Sequence, residues 1–314
     1  MAQAGIKFSS KHRQRKELTD IIWRTVFGIC GVISAIMIVL IFVFVGFRGV
    51  QVFLPNYTAG EVQNIGSFLT GMQWRQDQAS YGVGFIVINT VYTAVLAGLI
   101  SFPISVLSAL FIVKIAPKRM RQFFTTIVEL LAAIPSVVYG VFAAGSITGM
   151  VSRIAAWFGY QTAGGISGLA VVLLLAIMIY PTITELSINA IEAVPLEMEQ
   201  ASLALGASQS QTNFKVVLRT ARSGIFAGLV LGLGRAFGEA TAVSMVAGNA
   251  MLGPTWNLFM PTRTLTSTML AGMHETTGLD YDIRFSVGIV LMIVITVVNG
   301  FVNWIKRKVG GSEE

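Results

Sequence analysis

The chain alternates between long apolar segments and short polar segments rich in lysine and arginine. An α-helix needs about 20 apolar residues to cross a hydrocarbon layer of roughly 30 Å. Six segments meet this requirement, and the pattern predicts a transmembrane helix in each of them: 21–47, 81–113, 123–148, 166–190, 224–248 and 284–305. The predicted fold class is therefore all-α, a polytopic membrane protein with six transmembrane helices.

The composition supports this interpretation. Of the 314 residues, 54% are hydrophobic and only 12% are charged, whereas a soluble domain carries roughly a quarter charged residues. The basic start resembles a signal peptide, but the apolar segment after it is too long and has no small-residue cleavage site, so we expect an uncleaved helix. One cysteine and two histidines predict neither a disulfide framework nor a bound metal or cofactor.

The basic residues predict how the helices are oriented. The N-terminal tail, the segments 114–121 and 191–223 and the C-terminal tail hold 15 of the 22 lysines and arginines. The opposite loops, 48–80, 149–165 and 249–283, hold five when Arg284 at the edge of the last loop is included. Positive residues stay inside, so we expect both termini in the cytoplasm. The predicted organisation has four parts: tail 1–20, first helix and external loop 21–80, a five-helix core 81–305 with cytoplasmic hairpin 191–223, and tail 306–314.

Prolines and glycines inside the spans predict kinks and close packing. A proline removes a backbone donor and crowds the preceding turn, although neighbouring helices can satisfy the freed carbonyl. The prolines within the predicted spans are Pro103, Pro135 and Pro181. Small residues at four-residue spacing let helices approach closely in lipid. Two such rows lie in the fifth span, one with Gly224, Gly228 and Gly232 and the other with Gly234 and Gly238.

A charged pair lies inside the fifth predicted span. Arg235 falls roughly 16 Å beyond Gly224 along a helix, where an arginine costs about 2.5–3.5 kcal/mol on insertion scales. Glu239 is four residues further on, so both side chains are expected on one face, directed to the bundle interior and partly neutralising each other. A guanidinium matches the geometry of an oxyanion, which favours an anion route. The alternative is a structural ion pair that holds helices in register.

The segment 191–223 predicts a helical hairpin on the cytoplasmic face. Pro195 can open a helix, and Glu197 and Glu199 suit its first turn because they face the positive end of the helix dipole. Gly206 can end this helix, and Ser208 can cap the next. By itself the hairpin is either a plain connector or a docking site for a partner.

Three runs of sequence resemble a known family. The first resembles the EAA loop of ABC-importer permeases, and it holds Gln200, Ala201, Ser202, Leu205, Gly206, Ala207 and Ser208. It departs from that motif at three positions, with Gln200 in place of glutamate, Ser202 in place of alanine and Arg219 in place of proline. The runs 129–140 and 231–249 resemble phosphate-specific (Pst) permeases, the second resembling the PstC type except that Ala240 replaces threonine.

The resemblance implies a permease subunit of the bacterial inner membrane, with the ABC type I importer fold, that moves inorganic phosphate past Arg235 and Glu239. It also implies that the hairpin couples the chain to an ATPase dimer, with a PstA-like permease and an external phosphate-binding protein as further partners. The chain has no P-loop, so it is not expected to be catalytic, and ATP would be used by partner subunits. The basic residues occur in short clusters between spans, which indicates membrane topology rather than nucleic-acid binding.

Several alternatives remain open at this point. The substrate could be another oxyanion, such as sulfate, molybdate or phosphonate, because one arginine does not distinguish these anions. The chain could also be the PstA-type sister subunit. A membrane-embedded enzyme and a scaffold that only assembles other proteins are the hypotheses from other classes.

Overall fold

The computed structural model describes the backbone of residues 10–310 and the side chains of residues 18–304. Residues 1–9 and 311–314, which belong to the predicted terminal tails, lie outside the described residues. The chain divides into two compact units after Arg48. In the first unit the described residues belong to one long helix, α1 (Ser10–Gln51), whose apolar side chains are exposed.

The second unit is almost entirely helical. Its helices are α2 (Ile65–Thr70), α3 (Gly84–Leu110), α4 (Lys118–Ala133), α5 (Ser136–Phe142), α6 (Thr148–Trp157), α7 (Gly168–Glu192), α8 (Leu196–Ala204), α9 (Gln209–Thr212), α10 (Leu218–Gly238), α11 (Thr241–Ala247), α12 (Leu265–Leu270) and α13 (Leu279–Gly310). Short π-helical segments extend α3 and join α5 to α6 and α9 to α10: Phe111–Ile115, Ala143–Ile147 and Asn213–Val217. Strands β1 (Trp74–Arg75) and β2 (Ser80–Tyr81) form a small antiparallel ribbon, with Trp74 opposite Tyr81.

The number of spans and the fold class are confirmed. Within the described residues, six helices are long and apolar enough to cross a membrane: Leu18–Gln51, Gly84–Ile115, Ser136–Trp157, Gly168–Glu192, Gln209–Gly238 and Leu279–Trp304. We call them spans one to six. Span two continues through Pro103 and span four through Pro181 without interruption.

The predicted bounds of the third span were wrong. Residues 123–148 do not form one helix, because α4 ends at Ala133 and the spanning helix begins at Ser136. Ile134 between them is extended, with ψ 127°. A proline disfavours helical geometry in the residue before it, so Pro135 separates two helices instead of kinking one.

The predicted bounds of the fifth and sixth spans were also wrong. The fifth helix does not run over 224–248: span five begins at Gln209 and ends at Gly238, and α11 is a separate helix. Glu239 leaves helical geometry, with ψ 116°. Span six begins at Leu279, so Arg284 lies within the helix instead of at its first residue.

Span four is the central helix of the second unit and packs against α3 and α10. The first glycine row lies on α10 and forms its close contact with span four, as the sequence predicts. A methyl group added to Gly224 would lie 2.5 Å from Cβ of Ala190, and one added to Gly232 would lie 2.7 Å from Cγ1 of Ile183. Gly228 packs in the same way, with an added methyl group 3.2 Å from Cβ of Leu186.

The second glycine row behaves differently. Gly234 and Gly238 have open space beside them, so this row makes no close helix contact within the described part of the chain. The expectation of a close helix contact at this row is therefore not met inside this subunit, although α10 is packed on more than one side, against α3, α7 and α13.

Candidate functional site

Arg235 lies at mid-depth in the bundle. It is three residues before the end of α10, it is half-buried, and its Nη1 donates a hydrogen bond to Oγ1 of Thr182 at 3.1 Å. Thr182 lies near the middle of span four, about 15 Å from Glu192 along the helix axis. Arg235 is therefore level with the centre of span four, which agrees with the depth that the sequence predicts.

Glu239 does not pair with Arg235. Its carboxylate accepts a hydrogen bond from the backbone N–H of Ala242 at 2.9 Å, and its backbone oxygen accepts one from Oγ1 of Thr266 at 2.7 Å. Among side chains 18–304, no ion pair joins Arg235 to Glu239. The expected pair on one helical face was wrong, because the helix ends at Gly238 and the carboxylate serves the first turn of α11.

A buried segment rich in hydroxyl side chains satisfies the backbone at this break. The helix α12 begins with a capping box formed by Thr264 and Ser267, and the backbone N–H of Leu265 donates to Oγ1 of Thr90 at 2.9 Å. Irregular backbone is tolerated at membrane depth only where protein covers it or water lines it. The segment 249–283 was expected to be an external loop, and this part of it is instead buried inside the unit.

The two runs that resemble Pst permeases contact each other. Gly140 in α5 lies against α11, and a methyl group added to it would be 2.8 Å from Cα of Ala242 and 2.7 Å from Sδ of Met245. Tyr139 is buried beside it, donates a hydrogen bond to the backbone oxygen of Leu131, and lies within electrostatic range of Arg235. The family-like sequence in the third and fifth predicted spans therefore forms one packed unit beside the arginine.

Two buried arginines stabilise the segment between α11 and α13 by hydrogen bonds to its backbone oxygens. Arg263 donates to the backbone oxygens of Asn249 and Ala250, both at 2.8 Å, and lies over the ring of Trp74. Burial, with a smaller contribution from the charge of Arg284, lowers the pKa of Arg263 to about 10. Arg284 donates to backbone oxygens at the end of α12. Both guanidinium groups thus satisfy carbonyls of irregular backbone.

The sequence analysis did not single out Thr182 and Glu185 on span four. Thr182 and Arg235 are 53 residues apart in the sequence, and local sequence patterns do not predict a contact over this separation. Glu185 did carry a signal, because a lone carboxylate inside an apolar span is a functional hypothesis by default. Its side chain is exposed on the surface of this subunit.

The 191–223 hairpin folds as its sequence predicts. Pro195 precedes the first residue of α8, and Gly206 adopts φ +84°, a left-handed conformation that favours glycine. Ser208 caps α9 through a capping box with Gln211. The hydroxyl oxygens of Ser202 and Thr212 lie 2.9 Å apart and join the two helices of the hairpin.

The hairpin has an attached face and an open face. Glu199, on the attached face, is buried and forms an ion pair with Lys114 at the end of span two. Ser202 and Ala207 are half-buried. The open face carries the exposed members of the EAA-like run: Gln200, Ala201, Leu205, Gly206 and Ser208. Leu205 is 90% exposed, so a partner that covered it would remove apolar surface from water.

Six apolar spans, a helix break at mid-depth beside an arginine and an open helical hairpin at one end define the class as a polytopic membrane protein. Residues 101–311 match the family described as binding-protein-dependent transport system inner membrane component. The chain belongs to this family and is a permease subunit of an ABC importer. Membership implies ATPase and substrate-binding-protein partners, and the role is that of a transport subunit, not of an enzyme.

Individual relatives agree with this assignment. The chain is 35% identical to "Probable ABC transporter permease protein YqgH" of Bacillus subtilis, covering 90% of this chain and 89% of the relative. It is 33% identical to "Phosphate transport system permease protein PstC" of Pasteurella multocida, covering 74% and 77%. These matches confirm the resemblance to PstC-type permeases.

Solved structures confirm the fold. A bacterial ABC transporter involved in the import of the acidic polysaccharide alginate matches 93% of this chain and 99% of its own, with TM-score 0.61 and 20% identity. The MetNI methionine ABC transporter in an inward-facing conformation matches 71% and 94%, with TM-score 0.53 and 20% identity. At this level of identity the similarity is one of fold.

Proposed function

We propose that this subunit carries inorganic phosphate through the membrane and that Arg235 binds the anion on its way. The observation that carries the proposal is the half-buried guanidinium at mid-depth, where the fifth span ends. A guanidinium has five N–H donors, and within the described side chains Arg235 uses them for one hydrogen bond, to Thr182. The remaining donors are available to an oxyanion.

The substrate class follows from this chemistry together with the relatives. Several relatives with 28–35% identity are phosphate transport system permeases or probable ABC permeases by name. An arginine alone does not separate phosphate from sulfate, molybdate or phosphonate, so phosphate rests on the relatives. In this proposal Glu239 supports the route by capping α11, rather than by neutralising Arg235.

The open face of the 191–223 hairpin is the proposed docking site for an ATPase subunit. Leu205 and its exposed neighbours would lie in a groove of the ATPase, and Glu199 and Ser202 would transmit its movement through contacts with the rest of this subunit. ATP-driven closure would then drive alternating access. The hairpin carries Lys215, Arg219 and Arg222, so we place it and both termini in the cytoplasm and the protein in the bacterial inner membrane.

The complete proposed transporter contains this chain, a PstA-like permease, two ATPase subunits and an external phosphate-binding protein. The proposed organisation of this chain has cytoplasmic tails 1–20 and 306–314, a first helix with external loop over 21–80 and a permease core over 81–305. Pro135 and the row Gly228 and Gly232 shape the core around the route.

The test is phosphate uptake into proteoliposomes that contain the whole transporter. Arg235→Gln removes charge and donors from the route, and we expect uptake to fall by about 100-fold or to background, since each charge-assisted hydrogen bond contributes about 1.5–3 kcal/mol. Arg153→Gln is the matched control, because Arg153 is exposed and outside the site. Its uptake should equal that of the unmodified transporter.

Assembly and selectivity complete the test. The Arg235→Gln complex should purify with all its subunits, so that lost uptake reports on the route. Sulfate, molybdate and phosphonate in excess should leave phosphate uptake unchanged. Unreduced uptake by a correctly assembled Arg235→Gln transporter would refute the assignment of Arg235 to the pathway. Efficient competition by sulfate would refute the assignment of phosphate as the substrate.

A further inference from the structure

Span four exposes a narrow polar face next to Arg235. Most of this helix is buried, but Thr182 is half-buried and Glu185 and Asn189 are exposed. Their spacing of three and seven residues places them on one side of the helix. A carboxylate inside a span is costly in lipid and normally faces the bundle interior, a partner charge or a water-filled cavity. Polar side chains therefore extend along span four from Arg235 towards the hairpin end of the bundle.

Glu185 is within reach of the guanidinium. Thr182 accepts the hydrogen bond from Arg235 at 3.1 Å, and residues three apart on a helix have Cβ atoms about 5–6 Å apart. Glutamate and arginine are both long side chains, so rotation about their side-chain bonds can bring the two charged groups together. No ion pair between them is present in this conformation.

Two other carboxylates near this face are engaged elsewhere. Glu239 caps α11 through Ala242, and Glu192 pairs with Arg121. In contrast, within residues 18–304 the side chain of Glu185 has no hydrogen-bond or ion-pair partner. Along span four, Glu185 is the carboxylate nearest to the contact between Thr182 and Arg235. Its side chain is therefore able to pair with Arg235.

We propose that Glu185 is the exchangeable counter-charge of Arg235: it binds the guanidinium when no anion is present and yields it when phosphate arrives. This proposal rests on the proposed function. Exchange with a carboxylate weakens the net affinity of Arg235 for the anion, because only the fraction of unpaired arginine is competent to bind. Release towards the hairpin end is then assisted, since transport requires departure as well as entry.

The test measures how phosphate inside proteoliposomes inhibits uptake by the whole transporter. Glu185→Gln leaves Arg235 without its counter-charge, so the anion should remain bound for longer. We expect the half-inhibitory internal phosphate concentration to fall about tenfold and the maximal uptake rate to fall with it. Glu185→Asp keeps the charge and should restore most of the rate. Glu61→Gln, the same substitution at an exposed carboxylate outside span four and outside the hairpin, should change neither quantity.

The outcomes separate this inference from the proposed function. If Glu185→Gln behaves like the unmodified transporter while Arg235→Gln is inactive, the counter-charge role is refuted and the anion route stands. If Glu185→Gln loses the sister permease during purification, Glu185 belongs to a subunit interface and the proposal is likewise overturned. If Arg235→Gln transports normally, the proposed function fails first, and the role of Glu185 fails with it.

Discussion

The ion pair between Lys114 and Glu199 fixes the attached face of the hairpin, and its removal gives a quantitative prediction. The two side chains are 15% and 9% exposed. The pair between Arg121 and Glu192 joins the same kinds of charge, but each of its side chains is 41% exposed. The two pairs therefore differ chiefly in burial, and the second is an internal control for the first.

The perturbation is Glu199→Gln, which leaves a mostly buried ammonium group without its partner. Removing one member of a fully buried pair costs about 3–5 kcal/mol, and the flexible stem of Lys114 can carry its charge part of the way to water. We therefore expect a cost of about 2 kcal/mol, which is roughly a 30-fold change in an equilibrium constant. Glu192→Gln should cost about 0–1 kcal/mol, as exposed pairs do.

The assay is amide hydrogen exchange of α8 in permease subunits purified without the ATPase. If the ion pair holds α8 on the rest of the unit, Glu199→Gln should accelerate exchange in residues 196–204 about 30-fold through more frequent local opening. The double variant Lys114→Met with Glu199→Gln should recover part of the protection, because no uncompensated charge remains. Equal effects of Glu199→Gln and Glu192→Gln, or no recovery in the double variant, would refute the reasoning.

Two further predictions concern packing and docking. Gly232→Val should destabilise the bundle by about 1–3 kcal/mol, because its Cβ would lie 2.7 Å from Cγ1 of Ile183; Gly234→Val has open space, and an equal loss of thermal stability in both variants would contradict this account. Leu205→Asp should release the ATPase in a pull-down while the sister permease is retained, since Leu205 is 90% exposed; undiminished binding of the ATPase would count against docking at this face.

Much of the fold follows from local sequence signals. Apolar length is sufficient to find six spans, because the bilayer imposes the same requirement on each. The hairpin was predicted in detail, since Pro195, Gly206 and Ser208 act on the backbone within a few residues of themselves. The first glycine row was interpreted correctly because its spacing defines a helix face, but the second row has the same spacing and makes no close contact.

The helix breaks were harder to predict because apolar composition continues across them. Pro135 was read as a kink, yet the extended geometry of Ile134 makes it a boundary. At Gly238 the chain leaves the helix in a segment that hydropathy does not distinguish from its neighbours. The break depends on long-range partners such as Thr266, whose hydroxyl bonds the backbone of Glu239.

The candidate site was predicted only in part. Arg235 could be identified from its depth, because an isolated guanidinium inside a span requires an explanation. Its partners could not be identified in this way. Glu239 was assigned to it by helical spacing, but that argument assumed a continuous helix, and the break directs the carboxylate to Ala242. Thr182 comes from another helix, so its role depends on tertiary packing.

The central claim is that Arg235 borders a water-accessible anion route, and cysteine accessibility tests it most directly. Gly238 is exposed, has open space beside it and lies one turn from Arg235. In a transporter with Cys30→Ala, Gly238→Cys should react with a charged, water-soluble thiol reagent, and phosphate should slow the reaction. Adding Arg235→Gln should abolish the protection by phosphate. A thiol at 238 that stays unreactive with and without ATP, or protection that persists in Arg235→Gln, would contradict the account.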